Sequence, residues 1–560
     1  GRLVWQDGGT AWMLDLDAGS ARMGLEPQPL FQVRGGLSDL AWSPEGSRLA
    51  FVSARDGRAI LGVFDVEERN LTWLTNTVDR DDLPRWSPDG TRIAFVRTLV
   101  GYPGYAVWSV DLASGESREL WHSPREVEEG MSSGYPRAVA GQYDMAYGDG
   151  WLVVPGEWEG WNHLYAIPEE GGEARPLTPG EGIVENAALS ADGRWMWVST
   201  NTRSIDHRQL GRVRIADGRT EWLVDGPSIA WNPAPSADGG WIAYVRSDHA
   251  EPASVYVRPV EGGAAERVSE IPADFPLAAL VRPEQVIFET EDGWTVHGQL
   301  FLPPDHGAGA RHPGVLFMHG GSRRQMLLGW HNRGYYHGAY GFNQYLASRG
   351  YVVLSVNYRS GIGYGVKFRN PPEYGRQGGS EYQDILDAGR WLQRHPAVDP
   401  DRIGLWGGSY GGYLTAMGLA RDSDLFKAGV DLHGVHDWWE QTTWYGARDE
   451  QLATQWYDRS PDALESEREV AVASSPVADM DTWTSPVLIV HGDDDRNVPF
   501  EASIDLVRRL RQKGDVHFEE LYFIDDVHGF FRHDNWLTTF RTAADFFDRM
   551  LVGGEVADGG

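Results

Sequence analysis

The chain has 560 residues, too many for one ordinary domain and in keeping with about two to four units. Its 50 basic and 81 acidic side chains leave a net charge of −31, a surface that repels nucleic-acid phosphates and anionic lipid and so argues against both as partners. There is no cysteine, which removes disulfides, thiolate metal sites and cysteine nucleophiles together, and no apolar run reaches the ~18 residues of a membrane span.

The first half repeats. WSPEGSRLAFVS (Trp42–Ser53) is echoed by WSPDGTRIAFVR (Trp86–Arg97), and more weakly at Ala146–Pro155, Leu189–Ser199 and Pro235–Arg246. The turn glycines Gly46, Gly90, Gly150, Gly193 and Gly239 fall 44, 60, 43 and 46 residues apart. A Ser-Pro-Asp-Gly turn between period-2 strands is a hairpin signal, with glycine free to take φ > 0. About four strands per ~45 residues read as blades of a β-propeller, each covering its neighbour's apolar face. Six blade phases are visible over residues 1–280 and a seventh is left open; GRLVW at the start reads as mid-blade. The excess in the 60-residue interval is expected in Trp121–Gly141, as an inserted loop.

From about Gln285 the pattern changes, so residues 281–560 are expected to form a second unit. Short apolar runs (GVLFMHGG, YVVLSVNYR, RIGLWGG, KAGVDLHG, SPVLIVHG, HFEELYFI) alternate with helical segments. One of these, Ser380–Gln393, puts Ile385, Ala388 and Leu392 on one face, with Ser380 as the expected N-cap. Apolar strands separated by helices imply a mainly parallel sheet covered on both sides, an α/β-hydrolase-like unit whose site lies beyond the strands' carboxyl ends.

Gly407-Gly408-Ser409-Tyr410-Gly411 is a GxSxG pattern that follows a buried strand and opens an apolar helix, the context a nucleophile elbow requires. A second GxSxG-like stretch, Gly130–Gly134 around Ser132, follows a charged loop and fails that test. The partners should follow in the order acid, then histidine, each just past a strand. SPVLIVHGDDDRNVPF offers Asp493, Asp494 and Asp495, of which spacing favours Asp495. LYFIDDVHGF offers His528, which directly follows a strand, whereas His533 sits in a polar approach to the last helix. In this arrangement His528 accepts the proton of Ser409 as it attacks a carbonyl, and the acid holds the imidazole tautomer. Backbone N–H groups of Tyr410 and, from the His319-Gly320-Gly321 loop, Gly321 are the expected oxyanion donors.

A propeller followed by this sheet, with GGSYGG, HGDDDRNV and DDVHGF in order, resembles the prolyl oligopeptidase family of serine peptidases, which includes acylaminoacyl and dipeptidyl peptidases. The resemblance covers nearly the whole chain and is most specific over residues 310–530. It implies Asp495 as the triad acid, since the fifth residue of the family's HGxxD motif has that role. It implies Asn497 as a group that helps hold a substrate carbonyl, and Trp438 and Val498 as pocket positions. HGG looks like the acylaminoacyl-peptidase oxyanion loop, and GWNHLY (Gly160–Tyr165) is similar to a propeller segment of bacterial dipeptidyl-peptidase-like members.

Trp444 and Tyr445 join Trp438 in an aromatic stretch, with Trp439, Trp456 and Tyr457, that would suit an apolar or prolyl side chain beside the cleaved bond. Glu128 and Glu129 would be counterparts of the acidic pair that clamps a free amino group in dipeptidyl peptidases, although the family motif around that pair is missing here; Glu157 and Glu159 are the other acidic pair. RSGIGYG (Arg359–Gly365) lacks the context of a dinucleotide site, and no metal motif occurs, so no cofactor and no metal are expected. The expected activity is cleavage of short peptides by Ser-His-Asp acyl transfer, as an exopeptidase or oligopeptidase. An esterase with the same triad, and a binding propeller with an inactive hydrolase unit, are the alternatives. The expected protein is soluble; its compartment, residue preference and any homo-oligomer are left open.

Overall fold

The computed structural model describes residues 2–16, 26–129, 131–136, 143–307, 309–448 and 461–553. The N-terminal part is a β-propeller. Antiparallel strands form a three-stranded sheet (Arg2–Asp7, Thr10–Asp15, Gln28–Gln32), an eight-stranded sheet and three four-stranded sheets. The eight-stranded sheet is two four-strand blades joined where Ala59 pairs with Arg80, so six blades are present among the described residues.

The repeated turn has one construction. Gly46, Gly90, Gly150, Gly193 and Gly239 all lie at φ between 70° and 76°, a region that a side chain resists. In four of these turns a serine closes the loop: the hydroxyls of Ser43, Ser87, Ser190 and Ser236 accept the backbone N–H five residues on, at 2.9–3.0 Å. The residues 123–136 that are described contain no strand beyond a single bridge between Ser132 and Glu157, and among the described residues that follow Ser132 up to the strand Ala146–Tyr147 there is no helix.

The last propeller strand ends at Arg267, and an eight-stranded sheet begins at Glu284. Its spatial order is Glu284–Glu289, Thr295–Phe301, Val352–Asn357, His312–Met318, Val398–Gly408, Phe426–Leu432, Val487–Gly492 and Phe518–Phe523. The first two strands run antiparallel to their neighbours and the others are parallel, which is the α/β-hydrolase arrangement. Helices cover both faces, giving two apolar cores. In the helix Tyr382–Arg394, Ile385, Ala388 and Leu392 are fully buried, as their spacing predicts. Ser380 is not its N-cap: the hydroxyl donates to Pro372 O at 2.7 Å, and the helix begins two residues later, after Glu381.

The two units meet through buried polar contacts. Arg369 pairs with Glu157 of the propeller through two 2.6 Å contacts. Asp206 accepts the Tyr364 hydroxyl at 2.6 Å and lies 2.8 Å from His297 Nδ1. Arg208, itself paired with Glu185, donates to Gln325 Oε1 at 2.7 Å.

Candidate active site

Six parallel strands of the sheet end at one edge, and the segments just past five of them supply the candidate site. Ser409 follows the strand Val398–Gly408 and precedes the helix Tyr410–Arg421. Its backbone sits at φ 60° and ψ −117°, a strained conformation worth about 1–3 kcal/mol. The N–H of Ser409 donates to Leu432 O at 2.8 Å, and Tyr413 N–H donates to Ser409 O at 2.9 Å, so both flanks of the turn are held. Close packing explains the two outer glycines of the motif. A Cβ on Gly407 would stand 2.6 Å from Met318 O and from Gly411 carbonyl atoms, and one on Gly411 would collide with Met318 O.

The three aspartates after the strand Val487–Gly492 differ sharply. Asp493 and Asp494 are exposed, the latter paired with Arg496 at 3.1 Å. Asp495 is buried. Its Oδ1 accepts the N–H groups of Asn497 and Val498 at 2.7 and 3.0 Å, and its Oδ2 lies 2.6 Å from His528 Nδ1 and 3.1 Å from His491 Nε2. Burial alone would raise this carboxyl's pKa; the hydrogen bonds from His491 and His528 override it and hold the group far below the ordinary carboxylate range. His528 follows the strand Phe518–Phe523 by five residues and keeps its side chain 17% exposed. His533 is instead an exposed residue at the start of the last helix. Among the described residues no hydrogen bond joins Ser409 Oγ to His528; bonds of this kind often tighten only around substrate.

The loop after the strand His312–Met318 packs on the serine. A Cβ on Gly320 would stand 3.2 Å from Ser409 Cβ and 2.7 Å from Gly408 O, whereas Gly321, at φ +73°, faces the Arg324 guanidinium. Tyr410 contributes one of the first N–H groups of its helix, which an α-helix leaves without an internal partner. Its hydroxyl bonds to Glu381, whose carboxylate also takes Gly375 N–H at 3.0 and 3.1 Å. His319 is fully buried, and burial pushes its pKa down to about 3, so the imidazole is neutral beside the loop.

Trp438 lies against the aromatic residues flanking the serine, 5.6 Å from Tyr410 and 5.2 Å from Tyr413 between ring centroids. Val498 is buried in the same core, and Asn497 is exposed next to Asp495. Trp444 lines a separate cleft with Glu440 and Pro499. The side chain of Tyr445, and Trp456 and Tyr457 altogether, lie outside the described residues. Glu128 is exposed and paired with Lys367 at 2.7 Å, and Glu129 is exposed. Glu157 is committed to Arg369, and Glu159 accepts the Tyr165 hydroxyl at 2.9 Å.

One residue in this cluster escaped the sequence reading. His433, just past the strand Phe426–Leu432, is fully buried, with its ring centroid 4.2 Å from that of His528. A single histidine after a strand matches no motif. The available signal was positional: KAGVDLHG ends at the same sheet edge as the nucleophile strand beside it.

A propeller joined to an α/β-hydrolase unit, with a strained serine, a buried carboxylate and a histidine at one sheet edge, defines a serine-hydrolase class of architecture. Residues 340–554 match the model of the prolyl oligopeptidase family. Over 368 residues the chain is 30% identical to dipeptidyl aminopeptidase BIII of Pseudoxanthomonas mexicana, a match covering 60% of this chain and 50% of that one. It is 31% identical over 249 residues to human dipeptidyl peptidase 8, covering 44% of this chain and 26% of the relative. The chain thus spans half or less of these curated relatives. A puromycin-hydrolysing peptidase of Mycobacterium tuberculosis superposes with a TM-score of 0.76 at 22% identity, over 99% of this chain and 86% of that one, which establishes the shared fold. Among the described residues no helix is long and apolar enough to cross a membrane.

Proposed function

We propose that the protein is a serine peptidase that cleaves short peptides by acyl transfer, with Ser409 as nucleophile, His528 as base and Asp495 as the acid that orients it. The observation that carries this reading is the 2.6 Å contact between His528 Nδ1 and the buried Asp495 carboxylate, at the sheet edge where Ser409 sits in a strained turn. With Nδ1–H held by Asp495, Nε2 of His528 is the basic nitrogen. It takes the proton as Ser409 Oγ attacks the scissile carbonyl, then gives it to the departing amine. Water, activated by the same nitrogen, releases the acyl group.

Tyr410 N–H and the Gly320–Gly321 loop are the proposed oxyanion donors, each worth about 3–4 kcal/mol in the transition state. Trp438, with Tyr410 and Tyr413, is the proposed wall for the side chain preceding the cut; Asn497 and Val498 flank it. Exopeptidase or oligopeptidase action is supported by a propeller packed on the α/β unit and by the similarity to proteins named as dipeptidyl peptidases. A free-amine clamp at Glu128 and Glu129 would have to displace Lys367 from Glu128.

The test is a peptide library with free and acetylated N-termini, run beside small acyl esters. Release of amine from peptides by the native chain, with a fluorophosphonate labelling it but not Ser409→Ala, is the expected result. Ester turnover alone would point to an esterase, and absence of labelling would remove the catalytic reading.

A further inference from the structure

His433 brings a second imidazole to the proposed triad. Its ring is tilted 45° to that of His528, and its backbone sits at φ 40°. Its Nε2 lies 3.0 Å from the Tyr335 hydroxyl, while its Nδ1 is buried without a hydrogen-bond partner. A buried polar atom left unpaired is costly and asks for an explanation. The donor atoms of His433, Asp495 and His528 all lie within 4.8 Å of one another.

We propose that His433, Asp495 and His528 form an inhibitory binding site for a borderline divalent cation, with zinc the best fit. Two imidazoles and one carboxylate suit zinc, whereas calcium and magnesium require mostly oxygen. Around zinc, with Zn–N near 2.0–2.1 Å, donor atoms sit about 3.3 Å apart, so Asp495 Oδ2 and His528 Nδ1, 2.6 Å apart, must part slightly while the widest separation, up to 4.8 Å, must shrink. His528 can supply that movement, being on a loop and open to solvent on one side. With the ion on His433 Nδ1, the ring proton moves to Nε2 and the Tyr335 oxygen accepts it, the kind of outer support that metal-bound histidines use.

The inhibition follows from the tautomer. An ion bound to Nδ1 of His528 replaces the hydrogen bond to Asp495 and shifts the ring proton to Nε2. A protonated Nε2 cannot receive the proton of Ser409. No proton is lost and nothing is oxidised. The effect on turnover rests on the triad reading given above, but binding of the ion does not.

The test uses full-length Ser409→Ala, stripped with EDTA and titrated with zinc chloride by calorimetry; cobalt(II), read by its visible absorption, is the spectroscopic probe. The expected result is one ion per chain, bound at least about tenfold more weakly in Ser409→Ala carrying His433→Asn or His528→Gln. His528→Gln changes a loop residue and serves if His433→Asn fails to fold, which circular dichroism would reveal. In the active chain, zinc should suppress peptide hydrolysis and EDTA restore it. Absence of binding, or binding unchanged in both variants, overturns the site. Binding to a chain that hydrolyses no peptide when metal-free overturns the peptidase reading alone and leaves the site standing.

Discussion

Glu157 and Arg369 face each other across the boundary between the propeller and the α/β unit, two carboxylate oxygens against two guanidinium nitrogens at 2.6 Å, with both side chains buried. A buried pair of this kind adds little net stability, because desolvation offsets the attraction; losing one partner strands a charge. Glu157→Gln or Arg369→Met should therefore cost about 3–5 kcal/mol in urea unfolding followed by tryptophan fluorescence. The double variant Glu157→Leu with Arg369→Met should recover most of that loss. Single variants as stable as the parent would mean that water already reaches the pair.

The acid can be identified by subtraction. Asp495→Asn should lower kcat by about 10⁴-fold while leaving the fold intact, since the asparagine amide favours the wrong tautomer of His528. Asp493→Asn and Asp494→Asn, both at exposed positions, should stay within a few-fold of the parent. A larger loss from either neighbour would reassign the acid.

The two glycines of the proposed oxyanion loop should respond differently. A methyl group on Gly320 meets Gly408 O at 2.7 Å and the serine Cβ at 3.2 Å, while one on Gly321 finds its nearest neighbour at 3.7 Å and suffers only its φ of +73°. Gly320→Ala should cut kcat by about 10²–10³-fold, the size of a lost oxyanion donor, and Gly321→Ala by less. Equal kcat values for the two would place the carbonyl elsewhere.

One pH effect on stability is built into the core behind the serine. Burial works against a charge on His436, but Asp431, 2.6 Å away, overrides it and raises the histidine's pKa. A raised folded value means that the stabilisation is complete below the ordinary histidine value of about 6.5 and disappears as pH rises through the folded value. Unfolding midpoints should thus fall from pH 6.5 towards pH 9, and His436→Gln should flatten that slope. An unchanged slope in the variant would assign the effect to another group.

The architecture was legible because its signals are local. A glycine that must take positive φ, and a serine that closes the turn around it, recur within a dozen residues and mark four of the six described blades. The positions of Ser409, Asp495 and His528 at one sheet edge were legible because each lies at a strand end and in a motif. What stayed hidden depends on partners distant in sequence. Lys367 meets Glu128 from 239 residues away. Ser380 looked like a cap because nothing in the local sequence reveals the Pro372 carbonyl that its hydroxyl takes. Glu381, in turn, is drawn to the Tyr410 hydroxyl, and His433 carries no pattern at all.

The loop that holds Gly320 continues to Gln325, whose amide is gripped by Arg208 and by Ile205 O of the propeller. The segment Arg359–Arg369 is pinned to the helix Tyr382–Arg394 through Asp384 at one end and to the propeller through Glu157 at the other. Under the proposed reading, a tilt of the propeller would therefore pull on the peptide groups proposed to receive the negative oxygen. On that reading, admitting a peptide and assembling the site would be geared to each other, so a chain caught ajar would be slow as well as accessible.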